Sequence, residues 1–286
     1  MNYKLVRLAP GLHFVATPIG TARDITLRAL DTLASADVLA AEDTRSLRHL
    51  MDIHGVPLNG RQIVAYHDHS GVSVQDRLVG EVAQGRSVAY ASEAGMPLIA
   101  DPGFELGRAM TAAGHMVTVA PGASAVPAAL VLAGLPTDAF FFAGFLPNAS
   151  AARKTRLADL TQIPGTLVIY ESPKRLRAAL GDMAEVLGGD RNAAICREIT
   201  KKFEEVRRGT LASLADDMAD GPDPKGEIVV VVERAGSQKI SELDLEADLR
   251  AALETHSVRD AAEIVSKIHG LPKREVYQMA LQMGRS

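Results

Sequence analysis

The sequence has a single cysteine and no tryptophan, and it contains no long apolar run. Because Cys196 has no partner in the chain, an internal disulfide framework is excluded, and no Cys/His cluster has zinc spacing. No segment approaches the roughly 18 apolar residues that a membrane-spanning helix needs. The first residues, MNYKLVRLAPGLHF, include no apolar signal core. These features predict a protein of the reducing cytoplasm, without a bound metal.

Several common enzyme signatures are also missing. The sequence contains no G-x-G, so it lacks the Rossmann dinucleotide fingerprint, and it contains no Walker loop. It has neither the G-x-S-x-G of the α/β-hydrolases nor the H-E-x-x-H of zinc proteases. Any ligand-binding loop in this chain must therefore be of another kind.

Charge is distributed unevenly, although the net charge is only −4. Residues 1–149 carry 10 basic and 13 acidic residues, whereas residues 150–234 carry 14 of each. Basic residues of the second segment are grouped as Arg153-Lys154-Arg156, Lys174-Arg175-Arg177, Lys201-Lys202 and Arg207-Arg208. Such clusters are usually solvated faces, but they could also form a local stripe that binds phosphates.

The most informative stretch is residues 87–104, SVAYASEAGMPLIADPGF. Its first five residues are short, apolar and typical of a buried strand, and helical spacing resumes at Phe104. Gly95, Pro97 and Pro102 interrupt the backbone between them. A loop at the carboxyl end of a sheet strand is where open α/β sheets bind ligands. The alternative is a tight structural connection.

The order of residues in this loop resembles a known cofactor loop. Ser92-Glu93-Ala94-Gly95 through Asp101-Pro102-Gly103 is similar to S-D-A-G-x-P-x-I-x-D-P-G of the tetrapyrrole methylase superfamily, which binds S-adenosylmethionine. Glu93 replaces the usual Asp, and Met96 replaces a small polar residue. Further matches follow in chain order from residue 12 to residue 233: P-I-G at Pro18, E-D-T-R at Glu42, H-D-H at His67, P-G-x-x-A at Pro121, F-x-G-F-L-P at Phe142, Y-E-S-P-x-R at Tyr170, R-E-x-T-K at Arg197 and K-G-E at Lys225.

This set resembles the branch of the superfamily that methylates a ribose 2′-hydroxyl in small-subunit ribosomal RNA. The resemblance implies an α/β, two-domain tetrapyrrole-methylase-like fold with the cofactor cleft between the domains. We expect an N-terminal α/β domain over residues 1–147, a C-terminal α/β domain over 148–236 and a small helical extension over 237–286. In that extension, Val258 and Val276 each begin an apolar helical stripe, and Gly270 and Pro272 separate the stripes. This helix-turn-helix outline fits either RNA contact or simple packing.

The resemblance also implies function and partners. It predicts an S-adenosylmethionine-dependent methyltransferase, a homodimer, whose substrate is a cytidine in the decoding region of 16S ribosomal RNA. The cofactor-binding residues implied are Pro18, Ser92, Glu93, Ala94, Gly95, Met96, Pro97, Ile99, Asp101, Ser124, Ala125, Glu171, Glu198 and Gly226. Candidates for RNA contact are Arg45, Lys174, Arg175, Lys201 and Lys202.

Removing the hydroxyl proton requires a base near the cleft. Candidates at expected strand ends are Glu42, Asp43, His67, Asp68, His69, Glu171 and Glu198, with Glu42, Asp43, His67 and Glu171 favoured. The sequence does not choose among them. Two alternative functions stay open: a tetrapyrrole (precorrin or uroporphyrinogen) C-methyltransferase, and a non-catalytic RNA-binding ribosome assembly factor.

Overall fold

A computed structural model describes residues 2–67, 70–220, 222–235, 242–269 and 273–283. The chain divides into two compact units. One comprises Met1–Thr161 and Gly165–Glu233, and the other comprises Gln162–Pro164 and Arg234–Ser286. In the parts of the chain that the structure describes, no helix is both long and apolar enough to cross a membrane.

The first unit begins with a five-stranded sheet in the order β3-β2-β4-β1-β5, and all its neighbouring strands are parallel. Parallel sheets are normally covered on both faces, and here separate apolar clusters cover the two faces. The strands are β1 (Gly11–Val15), β2 (Val38–Ala41), β3 (Ile63–Ala65), β4 (Ser87–Ala91) and β5 (Val117–Ala120). The helices are α1 (Leu27–Ser35), α2 (Thr44–Ile53), α3 (Val72–Ala83), α4 (Phe104–Ala112) and α5 (Ala125–Ala133).

A second five-stranded sheet follows in the same unit, in the order β6-β7-β10-β8-β9. Only β6 and β7 are parallel; the other pairs are antiparallel. The strands are β6 (Phe140–Phe145), β7 (Thr166–Glu171), β8 (Asn192–Arg197), β9 (Glu205–Thr210) and β10 (Ile228–Val232). The helices are α6 (Ser150–Leu160), α7 (Leu176–Leu187) and α8 (Leu211–Asp217). Helix α6 begins only three residues after Pro147, the last residue of the F-x-G-F-L-P motif, so the connection between β6 and α6 is short.

Helix α5 follows the last strand of the first sheet in the chain and packs on the second sheet. Its buried residues Val126, Ala129 and Leu130 pack in one cluster with side chains of the second sheet, such as Val168 and Val231. Cys196 belongs to this cluster, and burial raises the pKa of its thiol to about 11. This cysteine is therefore a core residue rather than a reactive one.

The second unit contains three described helices, α9 (Glu242–Leu253), α10 (Val258–His269) and α11 (Lys273–Met283). Leu249, Ala262, Val265 and Val276, which are almost completely buried, form its core. The two apolar stripes found in the sequence therefore pack on each other and on α9. The predicted α/β architecture with a helical extension is confirmed.

Candidate functional site

A cleft of about 330 Å³ opens within the first unit, where the loops of the two sheets meet. One side consists of the loop after β4 and the start of α5, and the other consists of the ends of β6 and β7 and the beginning of β10. Volumes of this size are typical of small-molecule sites. The lining residues are Ile19, Ala94, Gly95, Met96, Ile99, Ala100, Asp101, Ser124, Ala125, Phe145, Tyr170, Glu171, Ser172, Pro173, Ile199, Gly226, Glu227, Ile228 and Val229.

The loop after β4 is fixed to the end of β1 by backbone hydrogen bonds. Gly95 N–H donates to the Thr17 carbonyl (3.1 Å), and Thr17 N–H donates to the Gly95 carbonyl (3.0 Å). Gly95 has φ +85°, and a Cβ there would lie 3.2 Å from Ile19 Cγ2. The backbone itself therefore requires this glycine.

Asp101 introduces an unusual carboxyl group into the cleft. Partial burial, with the nearby charges of Glu42, Glu93 and Glu227, raises the pKa of Asp101 to about 7, although the Ser92 hydroxyl acts in the opposite direction. Across the cleft, burial and the charges of Asp101 and Glu227 raise the pKa of Tyr170 to about 12. Asp101 can therefore change protonation state near neutral pH, and Tyr170 stays protonated.

On the side of the second sheet, one carboxylate is held in a buried ion pair. Glu171 Oε1 lies 3.1 Å from Arg175 Nε, and it accepts a hydrogen bond from Ser172 N–H (2.8 Å). Arg175 also donates to the main-chain carbonyls of Leu146 (2.5 Å) and Pro147 (3.3 Å). This ion pair connects the end of β7 to the segment after β6.

A second network holds the loop after β8. Lys201 Nζ lies 3.0 Å from Glu198 Oε1 and 2.8 Å from Glu227 Oε2, and Glu227 N–H donates to Glu198 Oε1 (2.9 Å). Burial alone would raise the pKa of Glu198. The hydrogen bonds from Glu227 N–H and Lys201, together with the Lys201 charge, lower it by more, so the pKa is below its ordinary value. Gly226 has φ +95°, and a Cβ there would overlap the Glu198 carboxylate, so another residue would strain the backbone and displace Glu198.

The structure brings nine of the fourteen predicted cofactor residues to the cleft lining: Ala94, Gly95, Met96, Ile99, Asp101, Ser124, Ala125, Glu171 and Gly226. The other five lie outside the lining: Pro18, Ser92, Glu93, Pro97 and Glu198. Ser92 is buried and donates its hydroxyl to the Gly95 carbonyl (3.1 Å), which makes it a support of the loop.

The predicted base candidates are dispersed. Glu171 alone of the described candidates lines the cleft. Glu42 accepts a hydrogen bond from Glu93 N–H (3.3 Å). Asp43 caps α2 by accepting from the N–H groups of Arg45 (2.7 Å) and Ser46 (3.3 Å), and these bonds lower its pKa. His67 is exposed outside the lining, and Asp68 and His69 lie outside the described residues.

The predicted RNA-contacting residues fall into two groups. The Arg45 side chain is 91% exposed, and Lys174 and Lys202 are also on the surface. Lys202 Nζ lies 5.5 Å from the centre of the exposed Phe203 ring. In contrast, Arg175 and Lys201 are engaged in the two networks described above. The first group can contact a phosphate without breaking buried ion pairs.

Sequence reasoning missed ten lining residues, among them Phe145, Tyr170 and Glu227. Phe145 is 56% exposed, and its ring packs edge-to-face on Tyr170 with centroids 5.6 Å apart. All three belong to motifs quoted from the sequence, so their neighbourhood was detectable, although their orientation was not. Among the described residues, no group of three or more His, Cys, Asp or Glu side chains is arranged to hold a metal ion.

Two family models match the chain. The model of Tetrapyrrole (Corrin/Porphyrin) Methylases matches residues 11–215. The model described as the RsmI C-terminal HTH domain matches residues 240–284. Together they extend over most of both compact units.

A curated relative is similar over nearly the whole length. The chain is 46% identical over 276 residues to "Ribosomal RNA small subunit methyltransferase I" of Mesorhizobium japonicum, and the match covers 96% of this chain and 93% of the relative.

Solved structures share the fold at lower identity. The methyltransferase CobJ is 20% identical with a TM-score of 0.60, and the match covers 79% of this chain and 94% of CobJ. Uroporphyrin-III C-methyl transferase from Thermus thermophilus, complexed with S-adenyl homocysteine, is 19% identical with a TM-score of 0.52. That match covers 77% of this chain and 96% of the Thermus chain.

Proposed function

Since this chain belongs to the tetrapyrrole methylase family, we propose that it transfers a methyl group from S-adenosylmethionine to the 2′-hydroxyl of a cytidine in the decoding region of 16S ribosomal RNA. The observation that carries the proposal is the cleft between the loops of the two sheets, with the loop after β4 on one side. The name of the Mesorhizobium relative supports the ribosomal substrate, and the complex of the Thermus neighbour supports the cofactor.

The residues of the cleft fit this cofactor. Ile19, Ile99 and Val229 provide apolar surface for an adenine ring, and the main chain at Gly95 is free of a side chain. The carboxylates of Asp101 and Glu227 supply negative charge beside a cationic ligand. The start of α5, at Ser124 and Ala125, adds backbone N–H groups for polar atoms of the ligand. We assign cofactor binding to these residues.

Bound S-adenosylmethionine supplies a methyl group attached to a positively charged sulfur. The protein has to place the ribose hydroxyl in line with that methyl group and accept the hydroxyl proton. Phe145 and Tyr170 form an aromatic surface in the cleft, on which an unstacked base of single-stranded RNA can stack. The surface residues Arg45, Lys174 and Lys202 contact the RNA backbone in this proposal.

The remaining parts of the proposal concern partners. The match of residues 240–284 to the helix-turn-helix model supports an RNA-binding role for the helical extension. Homodimerisation, cytoplasmic location and the division at residues 147 and 236 stay predictions from the resemblance.

Ribose-methylation mapping tests the proposal directly. 16S RNA from cells lacking the protein is expected to miss one 2′-O-methylated cytidine in the decoding region. Adding purified protein and S-adenosylmethionine should restore that methylation. Calorimetric titration with S-adenosylmethionine separates an enzyme from a non-catalytic assembly factor. If the map is unchanged in the deletion strain, the proposed substrate is wrong.

Methylation of a tetrapyrrole is the second candidate, because the structural neighbours include such enzymes. Those neighbours are 19–20% identical to this chain, and similarity at that level shows a shared fold but not a shared substrate. The E-D-T-R and Y-E-S-P-x-R motifs also favour the ribosomal branch. Transfer of a labelled methyl group to uroporphyrinogen III, with none to RNA, would reverse this assignment.

A further inference from the structure

The loop after β8 carries an exposed aromatic side chain beside a basic one. Phe203 is 63% exposed, and Lys202 Nζ lies 5.5 Å from the centre of its ring. Lys202 is also exposed, and it forms no ion pair with a carboxylate of the described residues. A single exposed phenylalanine is common on protein surfaces, so exposure alone does not indicate a ligand. The backbone that carries this pair is more informative.

The turn before Phe203 has a fixed and strained conformation. Glu198 and Thr200 have φ of +52° and +64°, and a positive φ is especially unfavourable for a β-branched residue such as threonine. Thr200 N–H donates to Glu204 Oε2 (2.6 Å). Lys201 N–H donates to the Glu198 carbonyl (2.9 Å), and Glu204 N–H donates to the Lys201 carbonyl (3.1 Å). Strained backbone persists where the surrounding structure imposes it, and it is frequent at sites that hold a ligand.

The same turn is attached to the loop after β1. Thr21 N–H donates to Thr200 Oγ1 (3.3 Å), and a Cβ on Gly20 would overlap that oxygen, so the two loops are in direct contact. Ile199, between the two strained residues, lines the cleft. Phe203 follows four residues later, so its Cα lies no more than about 14 Å from that of Ile199. The aromatic and basic pair therefore lies beside the cleft.

An exposed aromatic ring next to a cation is the combination that binds single-stranded nucleic acid. The ring stacks on an unpaired base, and the cation contacts a phosphate. A strongly hydrated ammonium beside the ring favours a polyanion over an apolar protein surface. Inside the cleft, Phe145 and Tyr170 already provide one aromatic surface for a base. Phe203 provides a second one at the edge of the cleft.

We propose that Phe203 and Lys202 form a second nucleotide-binding site, in which Phe203 stacks on an unpaired base close to the methylated nucleotide and Lys202 contacts a phosphate of the same RNA. The inference rests on the proposed function, because it concerns the same substrate. Phe203 was not among the RNA-contacting residues predicted from the sequence. Both side chains are positioning residues, since neither contacts a reacting atom, and they act by capturing and orienting the RNA.

The first test uses fluorescence of the full chain. The sequence has no tryptophan, so Phe203→Trp introduces a single fluorescent indole. Stacking of a base on it should quench the fluorescence when 16S RNA from cells lacking the protein is added. Phe140→Trp is the matched control, because Phe140 is 51% exposed and lies at the opposite end of β6 from Phe145. No quenching at Phe203→Trp, or equal quenching in both variants, overturns the proposal.

The second test measures affinity for the same RNA at several salt concentrations. Phe203→Ala should weaken binding about 5–150-fold, the usual effect of removing a base–aromatic stack. Its salt slope should equal that of the wild type, because the ring neutralises no phosphate. Lys202→Ala should instead lower the slope by about 0.7, the value for one phosphate of a single strand. Unchanged affinity for S-adenosylmethionine in both variants would show that the cleft is intact.

Two further substitutions distinguish stacking from apolar burial. Phe203→Tyr keeps an aromatic ring and should bind RNA almost as tightly as the wild type. Phe203→Leu keeps apolar surface without a ring, and it should bind about as weakly as Phe203→Ala. Wild-type affinity in Phe203→Leu would mean that this side chain does not stack on a base, and it would overturn the proposal, as would wild-type affinity in Phe203→Ala.

Single-turnover methylation separates this site from the reaction itself. In Phe203→Ala, the RNA concentration that gives half the maximal rate should rise by the same factor as the dissociation constant, and the rate at saturating RNA should be nearly unchanged. If this variant has the RNA dependence of the wild type, the second site is wrong and the proposed methyl transfer stands. If the wild type methylates no RNA but Phe203→Trp is quenched by it, the proposed function fails and the nucleotide site does not.

Discussion

Arg153 and Asp182 form a buried, two-point ion pair: Nε and Nη2 of the arginine each lie 2.7 Å from Asp182 Oδ2. The two side chains are 4% and 11% exposed. Ser150 also donates its hydroxyl to Asp182 Oδ2 (2.9 Å). The first of the basic clusters in the sequence is therefore not a uniform solvated face, because its first arginine joins α6 to α7.

Removing Arg153 should destabilise the protein strongly. Arg153→Ala leaves the buried Asp182 charge with only the Ser150 hydroxyl and the more distant Lys154 Nζ (3.7 Å), which is expected to lower the free energy of unfolding by about 3 kcal/mol. Urea unfolding of the full chain measures this change. Arg156, which is 42% exposed and 3.9 Å from Asp159, provides the control, and Arg156→Ala should alter stability by less than about 0.5 kcal/mol. Equal effects of the two substitutions would contradict the structural role of Arg153.

The same pair illustrates what the sequence could and could not predict. The order and type of most helices and strands could be predicted, because short apolar runs indicate the strands and recognisable motifs mark their ends, as at Glu42 and Glu171. The burial of Arg153 did not follow, since its partner is 29 residues away and only packing of α6 on α7 brings them together. Helix α3 was also not predicted, although Val74, Leu78 and Val82 have helical spacing; no motif drew attention to it.

The predicted cofactor residues line the cleft where their position depends on local chain order. Ala94, Gly95 and Met96 follow one another in the loop and all reach the cleft. Prediction of the lining was less complete where position depends on two sheets meeting, as for Phe145 and Glu227 on the opposite side. Position at a strand end predicted too many candidates for the catalytic base, because most of those carboxylates cap a helix or form an ion pair.

Two substitutions in the loop after β4 should have different effects. Ala94→Leu fills the cleft with a side chain and is expected to weaken S-adenosylmethionine binding more than about tenfold with little loss of stability. Gly95→Ala should lower the free energy of unfolding by about 1–3 kcal/mol, because φ at Gly95 is +85° and Ile19 is close. Calorimetry and urea unfolding measure the two quantities.

Gly85 supplies a matched control for the backbone effect. Its φ is +86°, and a Cβ there would meet open space, away from the cleft. Gly85→Ala should therefore strain the backbone and leave cofactor affinity at the wild-type value. Wild-type affinity in Ala94→Leu would exclude this part of the cleft from the cofactor site.

Substitution of the surface basic residues should reduce the salt dependence of RNA binding. In a variant with Arg45, Lys174 and Lys202 changed to Ala, the slope of log K against log salt should fall by about 0.7–0.9 for each phosphate that the protein no longer neutralises. Three exposed arginines outside the predicted set, Arg86, Arg108 and Arg156, provide a control in which the same charge is removed. An identical slope in both triple variants would indicate a solvated surface only.

The ion-paired basic residues should behave differently. Lys201→Ala leaves Glu198 and Glu227 without their cation, so we expect lower stability and an almost unchanged salt slope. The same measurements on this variant test the distinction between the two groups. A reduced salt slope of RNA binding with unchanged stability would indicate that Lys201 contacts the RNA instead.

Protonation of Asp101 should appear in the dependence of stability on pH. Its folded-state pKa is raised by burial and by nearby carboxylates, so the folded protein holds this proton more tightly than the unfolded chain does. The contribution of protonated Asp101 to the free energy of unfolding is complete below about pH 4 and is lost as pH rises towards 7. Asp101→Asn should therefore be more stable than the wild type at pH 8, and the difference should shrink towards pH 4.

Asp43 provides the opposite sign. Hydrogen bonds from the backbone N–H groups of Arg45 and Ser46 lower the pKa of Asp43. The ionised carboxylate therefore stabilises the fold above about pH 4, and this stabilisation is lost as pH falls through the folded-state pKa. Asp43→Asn should be less stable than the wild type at pH 7 and similar at pH 3. Urea unfolding at several pH values measures both variants, and the same sign in both would contradict the electrostatic argument.

Deleting residues 240–286 should separate cofactor binding from use of RNA. The described helices of this segment have their own core, which includes Leu249, Ala262 and Val276. We therefore expect the truncated protein to bind S-adenosylmethionine with wild-type affinity. Methylation of the ribosomal substrate should fall mainly at subsaturating RNA, because a tethered RNA-binding module raises the local concentration of RNA without contacting the reacting ribose.

A point variant tests the same idea without shortening the chain. Val276 is fully buried, so Val276→Asp should disrupt the core of the helical extension and reproduce the effect of the deletion on methylation. Tyr277→Ser, at a partly exposed position beside it, should have little effect on that core. If both the deletion and Val276→Asp methylate scarce RNA at the full rate, the extension does not bind RNA. Loss of cofactor binding in either would mean instead that the first unit needs the extension in order to fold.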